Sequence, residues 1–179
     1  NNPYRGFVYT SFQERATKVS HHNVSKLARA AGDETLQLIC NTIASDEARH
    51  ERAYTNFMGY LFEKDPAGAV LAFRDVLQNQ IVMPAQNMGG AGEPDLFERF
   101  STVAQRLGVY TAEHYAQIVT HLVERWRVES LAGLTGEAAA AQEYVCTLGP
   151  RYRRLAERAS RRATPEPPQA FSWIFGRAA

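Results

Sequence analysis

The segment CNTIASDEARHERAYTNFMGYL, residues 40–61, decides the fold. Cys40, Ile43, Glu47, His50, Tyr54, Phe57 and Leu61 recur at spacings of three and four, the repeat of one face of an α-helix and not of a strand. This stripe is apolar at both ends, yet its middle carries a carboxylate and an imidazole one turn apart. Upstream, Phe7, Thr10, Glu14, Thr17, His21 and Val24 make a second stripe with a carboxylate at its centre. Both stripes are expected to face a helical core. A buried, unpaired carboxylate is costly or takes up a proton. Two carboxylates and a histidine facing one another in such a core therefore ask for a cation to hold them together.

Carboxylate-bridged di-iron sites in four-helix bundles take one Glu from each of two helices and a Glu-x-x-His pair from each of the other two. Oxygen and nitrogen ligands suit iron. Glu14 with Glu47-Ala48-Arg49-His50 supplies one lone Glu and one Glu-x-x-His, which is half of that set. A Glu-x-x-His alone is a weak signal, and the bland alternative pairs Glu47 with Arg49 or Arg52 on a solvated face. His21, His22, His114 and His121 read as structural, and His121 with Glu124, in the reverse order, reads as a surface pair.

The rest of the sequence is expected to be all-α as well. A first helix is expected from about Thr10 to Ala31, closed by Gly32, and a second from a cap at Asp33 to about Phe62. Asp65-Pro66 opens a third that fades near Gln80. Residues 83–95 (MPAQNMGGAGEPD) read as a loop. Pro94 starts a fourth helix ending at Gly108, and Thr111 caps a fifth that reaches about Glu129. After a turn at 131–136, an Ala-rich helix is expected to run to Thr147 and to break at Gly149-Pro150, with an Arg-rich helix beyond it to Ala163. Residues 164–168 (TPEPP) cannot be helical, and Phe171-Ser172-Trp173-Ile174-Phe175 reads as a short strand or docked arm.

The composition fits this picture. The chain has 179 residues, 45% of them hydrophobic, with 20 basic and 19 acidic side chains. That balance excludes wholesale disorder, and the length suits one domain with a sizeable core. No apolar run approaches a membrane span. Cys40 and Cys146 show no disulfide or CxxC pattern, which favours a reducing compartment. Charge is uneven: residues 1–149 hold 13 basic and 17 acidic groups, residues 150–179 hold 7 and 2. Such a basic end suits an acidic partner, or is simply a solvated helix. Nucleic acid is disfavoured because Tyr152 alone interrupts the basic run with an aromatic platform. The chain opens Asn1-Asn2-Pro3, without an initiator Met or transit segment, and is expected to be a fragment or a processed product.

Several runs strongly resemble the plant acyl-carrier-protein desaturases, the soluble stearoyl desaturase family. They are NPYRGFVYTSFQERAT (2–17), ASDEARHE (44–51), Asp65-Pro66 with VLAF (70–73), STVAQRLGVYT (101–111) and FSWIF (171–175). The resemblance covers essentially the whole chain. It implies a ferritin-like di-iron helical bundle, usually a homodimer, in the plastid (chloroplast) stroma. It also implies oxygen-dependent removal of two hydrogens from a saturated acyl chain on acyl carrier protein, with electrons from ferredoxin. Carried over by position, Glu14, Glu47 and His50 are Fe(2+) ligands, with two irons per complete site. Thr17 falls beside the oxygen-binding face, Gly6 and Phe7 line the acyl channel, and Asp46 holds a histidine or water that lies just behind the ligands.

The resemblance also implies what is missing. The family's cluster has six protein ligands, and its first two ligand helices precede the segment matched here. The chain, 1–179, is thus expected to be a single partial ferritin-like domain: 1–82 with ligand helices and the following helix, 94–163 with the C-terminal helices, and 164–179 as tail. His22 stands where a Gly is usual, and NMGGAGE (87–93) replaces a bulkier charged loop. Two other readings stay open. Two chains could each donate a half-site and rebuild six ligands between them. Alternatively, a truncated, inactive chain binds only acyl carrier protein or a full-length desaturase. Arg151, Arg153 and Arg154 are the candidate contacts with acyl carrier protein in either case.

Overall fold

The computed structural model describes residues 2–79, 81 and 95–162, with backbone alone at Arg162. Among these the chain is all helix: α1 (Pro3–Ala31), α2 (Glu34–Lys64), α3 (Pro66–Gln78), α4 (Leu96–Arg106), α5 (Ala112–Arg125), a 3-10 turn (Val128–Ser130) and α6 (Gly136–Arg162). The loop expected at 83–95 lies, but for Asp95, outside the described residues, as do the start of the fourth helix at Pro94 and the arm and tail at 164–179.

The punctuation works as its chemistry requires. Gly32 closes α1 at φ 76°, a left-handed backbone that favours glycine, and its neighbour's amide, Asp33 N, donates to Ala28 O at 2.9 Å. Asp33 Oδ1 accepts from Leu36 N at 2.8 Å and starts α2. Asp65 does the same for Gly68 N at 2.9 Å, with Pro66 in the first turn of α3. At α5, Thr111 and His114 form a reciprocal capping pair.

Three expectations need correction. First, α1 begins at Pro3 and not near Thr10, because Asn2 accepts from Tyr4 N at 2.9 Å and Pro3 fits the first turn. Second, α5 stops at Arg125. The chain then turns through Arg127, at φ 49°, into a short 3-10 segment before residue 131. Third, Gly149-Pro150 does not break α6, which runs through Pro150. A proline inside a helix removes one hydrogen bond and costs about 3 kcal/mol or more. Packing on both sides offsets that loss, with Val145 and Leu148 buried before it and the Tyr152 ring 5.3 Å from Tyr115 after it.

Gly149 serves packing instead of termination. A Cβ there would run into Thr120 Oγ1 and come within 3.4 Å of Thr120 Cα, so α6 lies against α5 at this point. Gly149→Ala is expected to cost about 1–3 kcal/mol in urea unfolding, and Thr120→Ala in the same background should recover most of it. No recovery would mean that the close approach is unimportant.

The core gathers Val8 and Phe12 of α1, Met58 and Phe62 of α2, Phe73 and Leu77 of α3, Ile118 and Leu122 of α5, and Val145 and Leu148 of α6. Trp126 is its hinge. Its ring packs 5.4 Å from Phe62 and 4.9 Å from Phe73, and its Nε1–H donates to Thr55 O at 3.0 Å. The buried faces are offset from the expected stripes. On α2 they are Cys40, Glu51, Thr55, Met58 and Phe62, while Glu47 and Tyr54 are half-buried and His50 and Phe57 exposed. On α1 they include Val8, Phe12 and Ala16, with Phe7, Glu14, Thr17 and His21 on the flank. The carboxylate-bearing stripes therefore border the core and open outward.

Candidate metal centre

α1 and α2 pack along most of their lengths, and this pairing sets Glu14 opposite Glu47 and His50. One ligand atom from each of the three lies within 4.8 Å of the others. His50 Nδ1 is 3.2 Å from Glu14 Oε2 and 3.1 Å from Glu47 Oε2. The carboxylates are shielded, with side chains 19% and 18% exposed, whereas the imidazole is 57% exposed. Glu47 does not pair with Arg49, which is bound to Asp46 instead.

The electrostatics are those of ligands sharing protons. Burial and the neighbouring Glu47 raise the Glu14 pKa. Burial also acts to raise that of Glu47, but hydrogen bonds from Glu14, His50 and Thr17 outweigh it, and the net shift is downward. The hydrogen bond to Glu47, with the Glu14 charge, raises His50. A cation placed among these three atoms replaces the shared protons.

Directly behind this trio is a buried ionic cluster that the sequence reading did not find. Glu51, whose side chain is 8% exposed, accepts from Arg15 Nη1 at 2.5 Å and from Lys18 Nζ, and His121 Nε2 lies 3.4 Å away. Burial acts to raise its pKa, but hydrogen bonds from His121, Lys18 and Arg15 prevail and hold it at about 2. His121 is thus a partner of Glu51 on the α1–α2 interface, not of Glu124 on the surface. The missed signal was the rival α2 stripe of Cys40, Ala44, Ala48, Glu51, Thr55, Met58 and Phe62, whose spacing is equally helical.

Along the same flank of α1, a cavity of about 730 Å³ opens between α1, α4, α5 and α6. Thr17 and His21 form one wall, and Phe97, Phe100, Tyr110 and Leu155 form much of the rest. The buried Tyr110 hydroxyl has no hydrogen-bond partner among the described residues, and burial pushes its pKa up, so it stays a neutral donor. Thr17 connects the two regions. Its hydroxyl donates to Gln13 O at 3.1 Å and Glu14 O at 3.0 Å, and it also lowers the Glu47 pKa.

A family model described as fatty acid desaturase matches residues 1–175. The chain belongs to the fatty acid desaturase family. Relatives of this desaturase chain include the "Stearoyl-[acyl-carrier-protein] 9-desaturase, chloroplastic" of Olea europaea, 56% identical over 177 residues, and that of Carthamus tinctorius, 58% identical. The "Acyl-[acyl-carrier-protein] desaturase, chloroplastic" of Cucumis sativus is 55% identical. Each match takes in 99% of this chain, but the chain spans only 45% of the length of these relatives.

Within the desaturase chain the other expected residues are scattered around the trio. Asp46 is engaged by Arg49 at the surface and not by a histidine. Gly6 is exposed, and Phe7 packs against Tyr54 and Phe57 at ring distances of 6.4 and 5.8 Å, away from the cavity. Arg151, Arg153 and Arg154 are exposed on α6, with Arg153 Nε 3.6 Å from Glu113 Oε1. Both cysteines are free, Cys40 buried and Cys146 half-buried. No helix of the described residues is long and apolar enough to cross a membrane. The trio's donor set of two carboxylates and an imidazole fits iron.

Proposed function

We propose that this chain is the part of an acyl-carrier-protein desaturase that carries half of its di-iron ligands and one wall of its acyl site. The convergence of Glu14, Glu47 and His50 within 4.8 Å supports this reading most directly. Glu14, Glu47 and His50 hold Fe(2+), two irons serving the complete six-ligand site. When bound, iron supplies the activation of dioxygen that removes two hydrogens from a saturated acyl chain. The protein's own residues do the rest. Glu14 and Glu47 give up their shared proton as the metal enters, and Thr17 stands beside the metal face, with its hydroxyl held by the Gln13 and Glu14 backbone carbonyls and within reach of the Glu47 carboxylate. The cavity along Thr17 has a volume in the usual range for small-ligand sites, and its aromatic walls exclude water from an alkyl chain. Gly6 and Phe7 line the acyl channel apart from this cavity, and Asp46, freed from Arg49, holds a histidine or a water beside the ligands.

The partners follow from the same reading: acyl carrier protein bearing the substrate, ferredoxin as electron donor, and a second desaturase subunit, in the plastid stroma. Arg151, Arg153 and Arg154 form the acidic carrier's docking surface. Reversal of Arg153 and Arg154 to Glu is expected to weaken carrier binding at low ionic strength, with the difference from wild type shrinking as salt is added. Equal affinity for the two proteins at low salt would remove this surface from the account.

The test of function is a chimera. Residues 1–175 replace the matching segment of the Olea europaea enzyme, and desaturation of stearoyl-carrier protein is assayed with iron, oxygen and reduced ferredoxin. The reading expects activity that Glu47→Gln abolishes. A folded, iron-free and inactive chimera would favour a chain that binds its partners without catalysis.

A further inference from the structure

We propose that Glu51 is a positioning residue for the metal centre: by bridging α2 to Arg15 and Lys18 of α1, it keeps Glu14 in register with Glu47 and His50. The inference rests on the desaturase reading and adds to it the device that shapes the ligand set.

The bridge joins the two helices beside every ligand. Arg15 follows Glu14 directly, and Lys18 lies one turn beyond Glu14 on α1. Glu51 follows His50 directly and lies one turn beyond Glu47 on α2. Successive residues of a helix point about 100° apart. The ligands therefore occupy the flank while their neighbours reach into the α1–α2 interface. Glu51 Oε1 accepts from Arg15 Nη1 at 2.5 Å and Oε2 accepts from Lys18 Nζ, so its two oxygens hold donors one turn apart on α1. His121 Nε2 of α5 closes a third side, 3.4 Å from Oε1. Two bonds from one carboxylate resist both a slide and a rotation of α1 against α2.

The small side chains nearby are too smooth to do the same. Ala16 of α1 is buried, and Ala44 and Ala48 of α2 are half-buried. Methyl groups leave no deep ridges and grooves to set a register. The trio's own link between Glu14 and His50 runs through an exposed imidazole, where water competes for it. The Glu51 carboxylate is shielded, so its bonds are stronger and hold their geometry better. A ligand set needs such support, because a site left to loose neighbours drifts out of bonding geometry.

Anaerobic ferrous iron titrations of the chimera, well below its melting temperature, test the bridge. Residues that orient metal ligands typically set affinity by about 10–100-fold. Glu51→Gln keeps the size of the side chain but not its charge, and is expected to weaken iron binding about ten-fold, less than the loss of a ligand. Arg15→Ala decides between position and charge. Removing a positive charge close to two carboxylates tightens iron if charge alone acts, whereas loss of the bridge weakens it. Weakening is the expected result. Arg15→Lys keeps a cation for Glu51 and should retain most of the affinity. Leu148→Ala, a core truncation on α6, lowers stability without touching the bridge and should leave iron affinity unchanged. Visible absorption of the cobalt(II)-loaded proteins gives a second readout, with altered bands in Glu51→Gln and Arg15→Ala and wild-type bands in Leu148→Ala. Circular dichroism confirms folding. Should Glu51→Gln not fold, Lys18→Met takes its place, since it leaves the Arg15 bond intact, and weaker iron binding is again expected.

Unchanged affinity in the folded bridge variants, tighter iron in Arg15→Ala, or an equal loss in Leu148→Ala would each overturn the bridge. Any of these, in a chimera whose wild type binds iron, leaves the desaturase reading intact. A wild-type chimera that binds no iron overturns both.

Discussion

Replacing Glu51 with leucine is expected to lower the thermal midpoint by about 10 °C at pH 7. Glu51 is the shared acceptor for Arg15, Lys18 and His121 in the α1–α2 interface, and its side chain is 8% exposed. Breaking a buried ion pair by removing one partner costs about 3–5 kcal/mol, because the charges left behind keep their desolvation penalty. In a domain of this size each kcal/mol moves the midpoint by about 2–4 °C. The pH dependence gives a sharper check. The folded-state pKa of Glu51 is depressed to about 2 from an ordinary 4.5. Its stabilisation is therefore fully present above 4.5 and is lost as pH falls toward 2. Melting wild type and Glu51→Gln side by side should show a gap that narrows across that window. A gap independent of pH would mean that shape, not charge, is what Glu51 contributes.

The second large effect concerns the ligands. Loss of a residue that merely supports a ligand typically weakens metal binding about 10–100-fold. Glu47→Gln and His50→Ala remove donors themselves, and should exceed that in iron titrations of the active chimera. Both positions are half-buried or exposed, and neither belongs to the core cluster, so the melting temperature of the iron-free protein should change little. Glu51→Leu should show the opposite pattern, with the iron-free fold weakened most. If His50→Ala binds iron as tightly as wild type, the imidazole is not a ligand.

The all-α fold was legible because capping residues act locally. Gly32, Asp33, Asp65 and Thr111 each end or begin a helix through a bond to a residue no more than four positions away. Helical spacing puts Glu47 and His50 on one flank of α2 and Glu14 at the centre of a stripe on α1, and the packing of α1 on α2 brings the three together. What failed was longer in range. Periodicity on α2 picked out the stripe through Glu47 and His50, but a second stripe one residue around fits the helical spacing equally well, and only tertiary packing shows that this second one, bearing Met58 and Phe62, is core. Glu51 and His121 meet across 70 residues of sequence, which no local pattern reports. Gly149-Pro150 reads as a break from propensity alone. The contact with Thr120 and the burial of Val145 and Leu148 keep that helix whole.

Glu14, Glu47 and His50 are expected to bind iron. Crystals of the active chimera, grown anaerobically with ferrous iron and measured at the iron absorption edge, test it most directly. The account predicts an anomalous peak within bonding distance of both carboxylates and the His50 ring. Iron located elsewhere, with those three side chains still hydrogen-bonded to one another, would contradict it.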